Sequence, residues 1–232
     1  MIEQKKFEIY LLIDNSKFEI FLFNTKTLQN VYTNELIINK HTDIDFDKLL
    51  SFLDNNIFKI EKLSNRFIED IYLIIDNNIE LQTYISIKKN NNDITDRKNF
   101  NQALVELKDL FKKNNREQEI VHMIVENLTI DGKNYDFFVE NLKSDYLNLD
   151  VKFISFPNDL IMKFNRILER YQIKVKHFLS GKYLKKSIDG KDIEISLMAH
   201  KILNGYNANE IAIVPKTPAN KGFFEKFFQL FS

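Results

Sequence analysis

Four histidines and one short acidic run are the side chains able to do acid–base or metal chemistry: His41, His122, His177 and His200, with Asp43, Asp45 and Asp47. No two histidines stand in an HxH or HxxxH spacing, which would bring two ring nitrogens to one side of a strand or helix. His122 and His177 fall inside strand patterns, so a core or surface role is the better reading for all four. The three aspartates precede a helical pattern, where negative charge complements the helix dipole. A catalytic carboxylate pair there is the weaker alternative. With no cysteine, thiolate nucleophiles, thiolate zinc sites and disulfides are excluded. No serine or threonine lies in a G-x-S-x-G turn. The first glycine is Gly132, so nothing before it can form a glycine-rich phosphate loop. These residues predict no catalytic, cofactor-binding or metal site, and a protein that is not an enzyme.

The elements that would position any site alternate between strand and helix. "KFEIYLLID" (6–14) and "KFEIFLFN" (17–24) flank "NS" as a hairpin, and "VYTNELIIN" (31–39) follows as a third strand. Phe46, Leu49, Leu50, Leu53, Ile57 and Ile60 keep helical spacing behind Asp43 or Asp45 as cap. "DIYLIID" (70–76) reads as a buried strand and "IELQTYISI" (79–87) as a half-exposed one. Phe100, Leu104, Leu107 and Phe111 mark the stripe of a helix over 92–113, started by Thr95 or Asp96. "QEIVHMIVENLTIDGKNYDFFV" predicts two strands about Asp131-Gly132. A strand at 147–156 leads to Pro157 near the start of the next helix, then to the strand "KVKHFLS". A helix over 192–205 ends at Gly205, and "EIAIV" (210–214) reads as a short strand. The class is mixed α/β.

Lysine plus arginine equal aspartate plus glutamate at 33 each, which argues against a nucleic-acid partner. Hydrophobic residues are 44% of the 232, enough for a sizeable core. The N-terminal segment has only a short apolar run broken by Glu8 and Asp14 and is not read as a signal peptide. No stretch approaches the roughly 20 apolar residues that span a bilayer.

The end of the chain differs from the rest. Pro215, Pro218 and Gly222 mark 215–222 as a linker before "FFEKFFQLFS". On a helix, Phe223, Phe224, Phe227, Phe228, Leu230 and Phe231 share one face, and Glu225, Lys226 and Gln229 the other. That pattern predicts a tail lying in a membrane surface, with Lys226 at the headgroups. Burying a Phe or Leu is worth roughly 1.5–3 kcal/mol, and ordering a residue costs about 1 kcal/mol or more, so one tail binds weakly. Docking on its own core and docking in a partner groove are the alternatives.

Taken in order, "ITDRKNFNQAL", "IVHMIVENLTIDGK" and "PNDLIMKFNRILERYQIKVKHFL" resemble the first half of FtsA, the actin-like bacterial division proteins. The likeness is strongest over 68–184. It implies a partial actin-like (ribonuclease H-like) subdomain at 1–78 and 157–214. It also implies an inserted SHS2-type (1C) subdomain at 79–156, a linker at 215–222, and a C-terminal amphipathic helix at 223–232. The family's phosphate-gripping hairpin, D-x-G-T-S-K, is here "LIDNSK". Either Leu12 stands for the magnesium-side aspartate and Asp14 for the glycine, or, slipped by two, Asp14 is that aspartate and Ser16 replaces the glycine. Neither register restores the loop, and no second phosphate loop or adenosine-binding G-G segment follows. The resemblance therefore implies a chain lacking the ATP-closing half, with no nucleotide cofactor. Its implied partners are the membrane surface, other division proteins and further copies of itself. FtsZ contact belongs to the family's other half. The implied place is the cytoplasmic face of the inner membrane, at the division site. A PilM-like scaffold of a pilus assembly system and a divergent actin-like ATPase are the alternatives.

Overall fold

The computed structural model describes residues 6–38, 44–90, 94–95, 97–136, 142–188, 190 and 193–211. Strands β1 (Phe7–Asp14) and β2 (Lys17–Asn24) form the expected antiparallel hairpin about Asn15-Ser16. Asp14 builds the turn: its Oδ1 accepts from the Ser16 amide at 2.8 Å and the Ser16 hydroxyl at 2.6 Å. Such short-range side-chain bonds are why Asp and Ser favour turns. Strand β3 (Gln29–Ile37) pairs antiparallel with β2.

Helix α1 (Phe46–Ser64) starts where Asp45 accepts from the Lys48 amide. It stops at Asn65, whose left-handed backbone lets its N–H reach the Glu61 carbonyl. The helix buries Leu49, Phe52, Leu53, Asn56 and Ile60, while Leu50 and Ile57 are only half-buried. Strand β4 (Asp70–Asp76) then lies parallel to β1.

The next stretch is β5 (Leu81–Asn90), β6 (Ile94–Thr95), α2 (Arg97–Asn114), β7 (Gln118–Ile130), β8 (Lys133–Tyr135), β9 (Leu142–Lys143) and β10 (Tyr146–Pro157). The chain continues through α3 (Asn158–Glu169), β11 (Lys174–Ser180), α4 (Gly181–Ser187) and α5 (Ile195–Leu203). Pro157 ends β10, opposite Gln118, just before α3 begins. Helix α4 has no forerunner in the sequence patterns.

Among the described residues the chain divides into two compact units, one within 6–79 and 159–203, the other within 80–158 and 204–211. The first contains a five-stranded sheet in the order β11-β4-β1-β2-β3. Its β1, β4 and β11 are parallel and its β1-β2-β3 meander is antiparallel. Ile9–Ile13 and Ile71–Ile75 are buried without a break, the pattern of central strands covered on both faces. On one face Phe52 of α1 meets Phe18, and Phe164 of α3 meets Phe178.

The second unit has a four-stranded sheet in the order β5-β10-β7-β8. Helix α2 lays Phe100, Ala103, Leu104, Leu107 and Phe111 on it, with Phe111 stacked on Phe153 at 4.9 Å. The β7–β8 turn puts Asp131 (φ 50°) and Gly132 (φ 79°) in left-handed conformations, as the Asp-Gly pair predicts.

One assignment is corrected. The stretch up to 214 was expected in the first unit, with a strand at 210–214. Instead residues 204–211 belong to the second unit. Within the described residues only Glu210 makes a bridge, opposite Ile124. The cause is burial: Ile211 is 1% exposed in the α2 core, and its amide donates to the Met123 carbonyl at 2.8 Å. Residues 212–232, with the linker 215–222 and the tail 223–232, lie outside the described residues.

Candidate functional site

The three parallel strands of the first unit end together. Asp14 closes β1 directly beside Asp76 of β4, and Ser180 closes β11 beside Ile75. The carboxyl edge of parallel strands is where open α/β sheets place ligand crevices. Two adjacent carboxylates there are the arrangement in this unit with the most chemical potential. Leu12 is 4% exposed inside the sheet, so of the two hairpin positions only Asp14 reaches the edge.

Both carboxylates have internal partners. Asp14 is committed to Ser16, as above. Asp76 is ion-paired with the Lys185 ammonium of α4. The aspartate side chain is 9% exposed and the lysine 55%, so the cation caps the acid from the solvent side. Gly181 makes this approach geometrically feasible: a Cβ there would sit 2.4 Å from Asp76 Cβ. Ser180 starts α4 by accepting from the Tyr183 amide at 3.1 Å. Nearby, Lys182 Nζ donates to Asn78 Oδ1 at 3.1 Å, and buried Asn77 accepts from the Ile79 amide. Among the described residues no three His, Cys, Asp or Glu side chains gather to hold a metal ion.

The three described histidines have structural partners. His122, 1% exposed, holds Glu210 at 2.7 Å in the second unit. In the first unit His200 holds Glu8 at 2.7 Å and lies against Phe23, and His177 stacks on Tyr72. Tyr10 donates to the same Glu8 oxygen at 2.6 Å and stacks on Tyr72 at 5.1 Å. Burial first, and Glu8 second, push the Tyr10 phenol well above its ordinary range; the same two causes raise Tyr72. Asp45 is the cap of α1 and Asp47 lies in its first turn. His41 and Asp43 lie outside the described residues, as do Phe223, Phe224, Lys226, Phe227, Phe228, Leu230 and Phe231.

Sequence reading had weighed Asp14 but missed Asp76 and Lys185. The acid closes an apolar run and the base sits 109 residues later in an unforeseen helix. The one available signal was Gly181 directly after a strand pattern.

No family model matches the chain, and no match is found among curated proteins. Solved structures give distant likenesses. A PilM–PilN type IV pilus biogenesis complex aligns over 78% of this chain and 49% of that one, at 8% identity and TM-score 0.49. The cytoplasmic domain of EpsL, an inner-membrane component of the type II secretion system of Vibrio cholerae, aligns over 80% and 59%, at 8% identity and TM-score 0.38. A Bacteroides thetaiotaomicron protein of actin-like ATPase fold and unknown function aligns over 79% and 56%, at 14% identity and TM-score 0.32. The chain thus spans between 49% and 59% of the length of these solved chains. Among the described residues no helix is long and apolar enough to cross a membrane.

Proposed function

We propose that this chain is a non-catalytic adaptor of actin-like descent, FtsA-like in its use. It attaches reversibly to the cytoplasmic face of the inner membrane through residues 223–231 and links other proteins there, division proteins and further copies of itself among them. The observation that carries the non-catalytic part is the Lys185–Asp76 ion pair. A carboxylate recruited to a cation–phosphate site must offer its negative charge outward. Here that charge already faces an ammonium from its own fold, and the neighbouring Asp14 is spent on its own turn. The attachment part rests on the amphipathic order of 223–231 behind two prolines and a glycine. An SHS2-type role for the second unit belongs to the same proposal.

The test is thermal melting of the full chain with and without magnesium and ATP. A ligand that binds only the folded state raises the melting temperature. We expect no rise; a rise that grows with nucleotide concentration would restore the ATPase alternative. A PilM-like pilus scaffold would use the same body, and the Phe-rich end fits it less well. The two readings differ in partner, and cross-linking in cells followed by identification of the linked proteins separates them.

A further inference from the structure

An edge strand offers unpaired N–H and C=O groups to any strand that reaches it, and folded proteins blunt such edges with bulges, charge or shortness. Among the described residues the two larger sheets end in β3 and β11 in the first unit, and in β5 and β8 in the second. Three of these are blunted. The β2–β3 ladder slips between Leu22 and Phe23, and β3 carries exposed Glu35. The β4–β11 ladder slips between Val175 and His177, and β11 opens with Lys174 and Lys176 about one valine. Strand β8 is three residues long.

Strand β5 is unlike them. It pairs with β10 from Leu81 to Asn90 with no register shift. It holds no proline or glycine, and its run LQTYISI bears no charge. Its two charges stand together at the far end and are engaged, Lys88 over the Tyr146 ring and Lys89 with Glu106 of α2. On the α2 side, Ile85 and Ile87 pack against the core of the unit and stay half-buried, so the apolar layer runs out to this edge. The sequence of β5 is also its own complement. In an antiparallel pair about a twofold axis, residue i faces j, j faces i, and opposed side chains share a side of the sheet. Centred on Ile85, such a pair sets Ile85 against its own copy and Thr83 against the second copy's Ile87, all on the α2 side. Gln82 then meets Lys88, and Tyr84 meets Ser86, on the other side. No lysine opposes a lysine, whereas parallel pairing in register would set Lys88 and Lys89 against themselves.

We propose that two copies of this chain join antiparallel through β5, making one continuous sheet from their second units with both α2 helices on one face. A single strand-to-strand contact is small, so the dimer is weak and reversible. This gives a surface to the self-association in the proposed function and rests on that reading only for its use. The test contains no lipid, so its failure would leave the membrane tail to be judged separately.

Analytical ultracentrifugation of the full chain over a range of concentrations reads the equilibrium. We expect a monomer–dimer equilibrium that persists after deletion of residues 222–232. Gln82→Lys puts like charges opposite each other at both ends of the pairing and should weaken the dimer about threefold or more; adding Lys88→Glu should restore it. Both positions are exposed, so the fold tolerates the changes. The chain has no cysteine, so a single introduced thiol can be oxidised only to its own copy. Opposed Cα atoms in an antiparallel pair lie about 4.5–5.5 Å apart, within the reach of a disulfide. Ile85→Cys should therefore form a covalent dimer faster than Ser51→Cys, placed on the exposed side of α1. A monomer at every concentration overturns the proposal, and so does a dimer that is lost with the tail. Indifference to Gln82→Lys, no recovery with Lys88→Glu, or equal cross-linking of the two cysteine variants would overturn it as well.

Discussion

At the residue scale, one buried polar group of α1 is held by partners that lie far away in sequence. Asn56 is 0% exposed on α1; its Oδ1 accepts from Tyr32 and Asn34 of β3 at 2.6 and 2.7 Å, and its Nδ2 donates to the Phe52 carbonyl. Helical periodicity gave Leu50 and Ile57 to the core and overlooked Asn56, because period finds apolar stripes and cannot see an acceptor whose donors come from another strand. Asn56→Ala should cost about 2–3 kcal/mol in urea unfolding, since it leaves the Tyr32 hydroxyl and the Asn34 amide without their acceptor. A loss below about 0.5 kcal/mol would mean that water replaces the amide. The stacked pair Tyr10 and Tyr72 gives a pH prediction. Both phenols are raised in the folded state, chiefly by burial, above an unfolded value near 10. The folded chain therefore keeps protons that the unfolded chain releases as pH rises past about 10. Stability is complete below that pH and declines above it, by up to about 1.4 kcal/mol per pH unit for each phenol. Melting temperatures measured between neutral pH and strongly alkaline pH should fall more steeply for the native chain than for Tyr72→Phe. Parallel curves would rule out this pair as the cause.

At the element scale, the hairpin, α1, α2 and the Asp-Gly turn were legible because each is written locally, by alternation, by a cap or by a stripe. Helix α4 was not. It is seven residues long, too short for its period to show, and it begins on Gly181, a residue that ordinarily weakens helices. The glycine is there for space: α4 must come within contact of the β4 end to put Lys185 over Asp76. Gly181→Ala should therefore destabilise the first unit by roughly 1–3 kcal/mol, even though alanine favours helix in isolation. A melting temperature unchanged or raised by this substitution would show that α4 yields freely, and would weaken the view of Lys185 as a fixed cap. The segment ending at Ile211 was misassigned for a related reason. "EIAIV" has the composition of a strand in either unit, and only the 1% exposure of Ile211 in the α2 core decides between them. Ile211→Ala should cost the second unit about 2–4 kcal/mol, a loss read from its own unfolding transition.

At the scale of the whole molecule, the proposed use of the tail depends on numbers that no single copy supplies. The chain carries 33 basic and 33 acidic side chains, so no net attraction draws it to an anionic surface. Lys221 and Lys226 stand against Glu225 at the tail itself. On the proposed reading, what remains is the insertion of six apolar side chains, Phe223, Phe224, Phe227, Phe228, Leu230 and Phe231, offset by the cost of ordering a short helix. That surplus is a few kcal/mol, enough for a brief visit and too little for residence. Joining two tails makes the second insertion intramolecular, and its effective concentration multiplies the two weak affinities. A chain dimerised through a leucine zipper fused to its N-terminus should therefore float with liposomes at lipid concentrations about tenfold or more below those the monomer needs. Deleting residues 222–232 should abolish flotation of both forms and leave their melting temperatures in place. If the monomer floats as readily as the dimer, one tail is sufficient and self-association is not needed for attachment. If the deleted form still floats, the body carries the lipid contact and the amphipathic order of the last residues serves something else.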